Sequence, residues 1–121
     1  MLYFDYTRNM ESIRTSEALD AFGALSNEHR LGIFRLLVQA GPEGLPAGDI
    51  ADKLGIPASS LSFHLAHLTR ADLIVQRRES RSLIYSANFD TMNGLIAFMT
   101  ENCCGGATCA SVSSPKKRKA S

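Results

Sequence analysis

The sequence predicts a mainly α-helical chain with one small β-hairpin, arranged as a helix-turn-helix with the hairpin directly after it. Three observations carry that prediction. A short helical run near Ala47 to Leu54 is followed by Gly55, suited to a left-handed helix end, and by Pro57, which discourages continuation. From Ala58 to Ala71, the residues Ala58, Leu61, Leu65 and Leu68 keep one face apolar at helical spacing. Leu73 to Arg78 and Ser82 to Ala87 are rich in β-branched and aromatic residues, and Glu79-Ser80 supplies a turn between them.

The elements follow in order. Residues 1–15 form a short arm, aromatic at Tyr3, Phe4 and Tyr6, which reads either as a clasp on a second copy or as a frayed terminus. A first helix is expected from about Ser16 to Leu25, with Ala18, Leu19, Phe22 and Leu25 on one face. Ser26-Asn27 supplies N-cap candidates for a second helix running to about Gln39. Its Leu31, Ile33, Phe34, Leu36, Leu37 and Val38 leave little polar face, so it is the expected core helix. Ala40-Gly41-Pro42-Glu43-Gly44 ends it. After the hairpin, Phe89-Asp90 opens a last helix to about Glu101, where Met92, Leu95, Ile96 and Met99 form an apolar stripe with Phe98 alongside. That stripe suits an ordinary core helix and equally a seam with a second chain. The division is thus an arm (1–15), one folded unit (16–104) and a tail (105–121) that is Gly, Ala, Ser and Thr rich, then basic, and expected to be mobile.

At 121 residues the chain supports one domain with a modest core. Hydrophobic content of 45% and charged content of 21% are those of a soluble globular protein. No apolar run approaches a membrane span, and residues 1–10 carry Asp5 and Arg8 in place of a signal-peptide pattern, so a cytoplasmic location is expected. The net charge is only +1, and four of the thirteen basic residues sit in Lys116-Lys117-Arg118-Lys119, leaving nine against twelve acidic ones. Positive charge is local: between Ala58 and Asn88, Arg70, Arg77, Arg78 and Arg81 outnumber Asp72 and Glu79. A compact footprint on DNA fits this better than diffuse polyanion binding.

Opposite the leucine stripe of the second helix of the helix-turn-helix stand Ser59, Ser62, Phe63, Ala66 and Arg70, with Ser60 and His67 beside them and His64 on the flank. Small hydroxyls and imidazoles at the start of a helix suit a DNA groove, since they can reach base edges or phosphates without blocking close approach. They also suit plain solvent, and the helix alone does not decide. The hairpin shifts the balance, because Arg77, Arg78 and Arg81 cluster at its tip, where charge serves phosphate or minor-groove contact. A helix-turn-helix followed by a basic hairpin is a winged helix.

Residues from roughly Ala18 to Glu101 resemble the ArsR/SmtB family of metal-responsive winged-helix repressors. The residues that carry the likeness are Ala24-Leu25-Ser26-Asn27-Glu28-His29-Arg30-Leu31, Asp49-Ile50-Ala51, Leu61 to Leu68 and Arg77-Arg78-Glu79-Ser80-Arg81. The resemblance implies a homodimer, joined through its terminal helices, that binds double-stranded operator DNA when metal-free and releases it on binding a toxic metal or metalloid. It would place Ser59, Ser60, Ser62 and Phe63 at base edges, Phe63 meeting a thymine methyl where many relatives have arginine. His64, His67 and Arg70 would orient the helix on phosphates, with Arg78 and Arg81 on the wing. Two dimer-related helices would read half-sites roughly 34–36 Å apart.

Two metal sites of the family are not expected. Arsenic-sensing members often carry a cysteine pair at the start of the third helix, where this chain has Leu45-Pro46-Ala47-Gly48-Asp49. Zinc-sensing members carry an Asp-x-His pair on the last helix, where Asp90 is here followed by Met92 two residues on.

The sulfur lies elsewhere. Cys103, Cys104 and Cys109 are the only cysteines of the chain. Clustering on a glycine-hinged loop suggests soft-ligand binding, since Gly105 and Gly106 let Cys109 fold back toward the adjacent pair. Trivalent arsenic and antimony form pyramidal three-sulfur centres, whereas zinc prefers four ligands. Arsenic-responsive members with a C-terminal Cys-Cys and a nearby third Cys look similar. The expected inducer is therefore trivalent arsenic or antimony, held by Cys103, Cys104 and Cys109, with no organic cofactor. A Cys103–Cys104 disulfide is disfavoured, because adjacent Cα atoms stand about 3.8 Å apart, below the usual range. A Cys104–Cys109 disulfide is feasible, which keeps a redox-sensing repressor open as an alternative. A thiol enzyme acting on arsenicals is the weaker alternative, since a helix C-terminus opposes thiolate formation. Pro115 to Lys119 resembles a nuclear-import signal; in a prokaryotic family it reads as a solvated basic tail grazing DNA phosphates.

Overall fold

The computed structural model describes residues 13–106. Three of its helices start where a side chain accepts from an amide that the helix end leaves unpaired, while the other two follow a proline. Helix α1 (Thr15–Leu25) begins as Glu17 accepts from the Arg14 amide at 2.8 Å. Helix α2 (Glu28–Ala40) is capped by Asn27, whose side chain accepts from the Arg30 amide at 3.0 Å, as the Ser26-Asn27 pair led one to expect. A 3₁₀ turn (Gly41–Glu43) closes α2 and leads into a short strand, β1 (Leu45–Pro46). Helix α3 (Ala47–Leu54) ends on Gly55 at φ 66°, the left-handed conformation predicted for it. Helix α4 (Ala58–Arg70) follows Pro57, and strands β2 (Ile74–Glu79) and β3 (Ser82–Ala87) form the wing. Asn88 caps helix α5 (Phe89–Thr100), accepting from the Thr91 amide at 3.3 Å. A last 3₁₀ segment (Cys103–Gly106) carries two of the cysteines.

The fold is therefore the winged helix-turn-helix read from the sequence, with three refinements. The hairpin is part of a three-stranded antiparallel sheet ordered β1-β3-β2, because Leu45 pairs with Tyr85 and Pro46 with Ile84. A two-residue strand has no hydrophobic period to betray it. Gly44 makes that pairing feasible: it sits at φ 71°, and a Cβ there would collide with the Tyr85 carbonyl. On α1 the buried face is Ala18, Ala21 and Ala24, while Leu19, expected inside, is 64% exposed. On α2, Ile33, Phe34 and Leu37 are buried, but Leu31 faces solvent.

One continuous core joins Ile33 and Leu37 of α2, Ile50 of α3, Leu61, Leu65 and Leu68 of α4, and Leu73, Ile74 and Ala87 of the wing root. Helix α4 lies against α1, α2, α3 and β2, so its apolar stripe is held from several sides. Helix α5 is different. Among the described residues it makes few contacts with other elements, burying Gly94 and Leu95 and leaving Ile96 and Met99 55% and 67% exposed. Residues 1–12, with the aromatic arm, and 107–121, with Cys109 and the basic run, lie outside the described residues. No described helix is long and apolar enough to cross a membrane.

Leu68 is fully buried at the centre of the core. Replacing it with alanine is expected to destabilise the fold by about 2–5 kcal/mol, seen as a lowered denaturant midpoint at unchanged m-value.

Candidate nucleic-acid interface

Helix α4 has to bury Leu61, Leu65 and Leu68, and helical geometry then turns Ser59, Ser62, Phe63, Ala66 and Arg70 outward. All five are exposed, as is Ser60, and Phe63 stands out at 62%. Arg78 and Arg81 are exposed at the far end of the wing, and Ser80 makes the turn at φ 57°. The structure thus brings one helix face and one basic tip to the surface, both anchored in the same core.

Two expected positions need correction. His64, expected on the flank of α4, is only 8% exposed. Its Nδ1 lies 3.3 Å from Nη1 of Arg30, and its ring is 5.4 Å from that of His29. A guanidinium has only hydrogens to offer, so Nδ1 accepts and the imidazole is neutral with its proton on Nε2. Arg30 is itself fixed by donating from Nε to the Ala24 carbonyl at 2.7 Å. His64 therefore ties α4 to the α1–α2 corner rather than reaching for a phosphate. His67 is half-buried, and its Nδ1 is enclosed without a hydrogen-bond partner among the described residues. Burial holds both imidazoles below the ordinary histidine pKa; Arg30 reinforces this at both, His29 and His67 adding at His64 and Arg70 at His67.

The wing has its own brace. Arg77, grouped with the tip arginines in the sequence, points to the other side. It donates from Nη2 to the Glu43 carbonyl at 2.9 Å and from Nη1 to the Pro42 carbonyl at 3.3 Å. It also pairs with Glu79 at 2.8 Å. Two further residues escaped the sequence reading: Gln76 and Tyr85 face α4 across a cleft with Ser62, Leu65, Ala66, Thr69 and Arg70. Strand alternation could have found them, since a buried Ile74 puts Gln76 on the same side two residues later.

At the C-terminal end, the chain turns after α5 through left-handed residues at Asn102, Cys104 and Gly105. The Sγ atoms of Cys103 and Cys104 lie 3.6 Å apart, well beyond a covalent bond between them. Cys103 is disulfide-bonded in this structure.

Comparison with known proteins agrees with this geometry. A family described as a helix-turn-helix domain matches residues 25–77. The chain is 39% identical to the HTH-type transcriptional regulator YceK of Bacillus subtilis over 70 residues, 58% of this chain and 69% of that protein. It shares its fold with an ArsR-like transcriptional regulator from Rhodococcus sp. RHA1 at TM-score 0.64 and 25% identity, over 75% of this chain and 82% of that one. It also matches the homodimeric winged helix-turn-helix DNA-binding domain of Mb0332 from Mycobacterium bovis at TM-score 0.57 and 22% identity, over 76% and 85% of the two chains.

The histidine cluster sets a pH dependence. A depressed pKa means that the unfolded chain takes up protons first, so the stabilisation is complete above the ordinary value near 6.5 and is lost as pH falls below it. The melting temperature is expected to hold steady above about pH 7 and to drop below about pH 6.5. A His64→Asn variant should show a shallower drop in scanning calorimetry. An unchanged slope would mean that His64 does not carry the effect.

Proposed function

This chain belongs to the ArsR/SmtB family of winged helix-turn-helix transcriptional regulators, and from that premise we propose that it is a repressor released from its operator by trivalent arsenic or antimony. The observation that carries the inducer is the pair of sulfurs at the end of α5. Two thiolates sharing one centre at about 2.3 Å each would stand roughly 3.3 Å apart at the near-right angles of a pyramidal site and roughly 3.8 Å apart at a tetrahedral one. The 3.6 Å between the sulfurs of Cys103 and Cys104 is a spacing that one soft atom can bridge once the disulfide at Cys103 is reduced. Cys109, which lies outside the described residues, is the proposed third sulfur, giving a neutral site without histidine or carboxylate.

Operator binding is proposed through α4 in the major groove, with Ser59, Ser60, Ser62 and Phe63 toward base edges and Arg70 toward phosphate. Arg78 and Arg81 then meet the neighbouring minor groove or its phosphates. His67 is left a partial role at the helix flank, and His64 acts from inside by positioning the helix. The molecule is proposed to work as a homodimer. Leu19, Ile96 and Met99 expose apolar surface on α1 and on α5, where a second copy would bury it. The relatives are named transcriptional regulators, which favours this reading over a thiol enzyme.

One observation favours a second reading on the same scaffold. The bonding of Cys103 in a disulfide is the arrangement a redox-sensing repressor would use in its oxidised state. The two readings separate in one titration of reduced protein on labelled operator DNA. Arsenite or antimonite should release it under the first, peroxide but not arsenite under the second.

Two variants test the assignment. Cys104→Ser is expected to bind operator normally and to keep its hold when arsenite is added; normal release would remove the inducer site from this loop. Each tenfold loss of operator affinity requires about 1.4 kcal/mol of coupling, and DNA must weaken metalloid binding equally. Ile96→Glu is expected to shift sedimentation from dimer to monomer and to weaken operator binding, while leaving the monomer folded because Ile96 lies outside the buried core.

A further inference from the structure

The wing shows a gradient along the face it turns to α4. Strand register pairs Ile74 with Ala87, Gln76 with Tyr85 and Arg78 with Leu83, and these alternate pairs share one face of the hairpin. At the root, Ile74 and Ala87 belong to the core. At the tip, Arg78 carries charge into solvent. Between them Gln76 and Tyr85 present an amide and a phenol, neither of them charged. Across from that pair the helix presents Ser62, Ala66 and Arg70, and the two sides enclose an open cleft of about 340 Å³.

We propose that this cleft is a seat for one phosphodiester of the DNA backbone, with the Gln76 amide, the Tyr85 hydroxyl, the Ser62 hydroxyl and the Arg70 guanidinium as its donors. The proposal rests on the docking given under Proposed function and deepens it. With α4 in a major groove and the wing tip at the adjacent minor groove, a single sugar-phosphate strand separates the two. That strand has to pass between helix and wing, and the cleft is the space between them.

The chemistry of the lining fits an anion that must be held in place without excess attraction. One guanidinium supplies charge, and neutral donors supply direction. Thr69 is not among the donors, since its hydroxyl hydrogen goes to the Leu65 carbonyl at 2.8 Å. Ala66 keeps the floor shallow enough for a backbone to approach. The hydrogen bonds of Arg77 to Pro42 and Glu43 lie on the opposite face of the wing, so they set its tilt without occupying the cleft.

The experiment is a fluorescence anisotropy titration of the full-length protein on two duplexes, an operator recovered by selection from random sequence and a mixed-sequence control. Gln76→Ala, Tyr85→Phe, the double variant and Arg78→Ala are compared with the wild type across a range of salt. Gln76 is exposed and Tyr85→Phe removes only a hydroxyl, so neither should disturb the fold, and melting curves check this. A neutral phosphate donor predicts a loss of about three- to tenfold for each single variant, equal on both duplexes, with the salt slope unchanged. Arg78→Ala should lower that slope by about one. A single uncharged methylphosphonate at the seated position should weaken the wild type more than the double variant, which keeps only Ser62 and Arg70 at the seat. An equal loss in both overturns the role of Gln76 and Tyr85. Affinity within about twofold of wild type for the double variant overturns the seat, as does a loss confined to the operator, which would mean base reading. A wild type that binds neither duplex would instead remove the DNA-binding reading and the seat with it.

Discussion

The burial of one leucine stripe governs this molecule. Leu61, Leu65 and Leu68 enter a core shared with α2, α3 and the wing root, each contributing about 1.5–3 kcal/mol relative to exposure. A helix that must bury that stripe has no freedom to rotate, so the face bearing Ser59, Ser62 and Phe63 points outward by geometry and not by any local preference of its own. Two polar contacts add to this. Arg30 joins the Ala24 carbonyl to His64, and the Leu73 amide donates to the Leu68 carbonyl at 3.0 Å as the chain leaves for the wing. The helix is thus pinned at its middle and at its end.

The wing is positioned by a comparable division between its two faces. One face continues the core at Ile74 and Ala87, then becomes polar and finally charged. The other face is braced by Arg77 against the carbonyls of the 3₁₀ turn that ends α2. Arg77 and Arg78 are neighbours of the same type with opposite jobs, and a one-residue change of register would exchange them. The short β1 strand matters for this reason. By pairing with β3 at Leu45–Tyr85 it fixes the sheet to the same turn that Arg77 grips.

Most of the fold was legible in the sequence because its signals are periodic or positional. The leucine spacing of α4, Gly55 at the turn, Asn27 as a cap and the Glu79-Ser80 turn each state a local constraint that tertiary packing did not override. The failures came where no period exists or where two sides of an element looked alike. Strand β1 is too short to show alternation. Leu19 lies on a helix whose inner face is made of alanines, so hydrophobicity points to the larger residue while close helix packing selects the smaller ones. His64 was misplaced for a related reason: an imidazole between Phe63 and Leu65 carries no sign of whether its partner is a phosphate or Arg30. Of the interface, charge was readable and neutral donors were not. Arginines advertise a polyanion by composition, whereas Gln76 and Tyr85 acquire meaning only from the strand register.

The terminal helix shows why an inducer at its end could matter to a surface far from it. Among the described residues, helix α5 is held by Leu95, Gly94 and a few half-buried neighbours, fewer contacts than fix α4. An element with fewer contacts is the one whose equilibrium a ligand can shift with modest differential affinity, because less packing must be undone. Helix α4, by contrast, is locked into its core and would transmit a change only as a rigid body. A signal starting at Cys103 and Cys104 would therefore move two rigid heads relative to one another through α5, changing the spacing between recognition helices while leaving each of them intact. In the proposed dimer, that spacing would be the quantity on which the hold on paired half-sites depends.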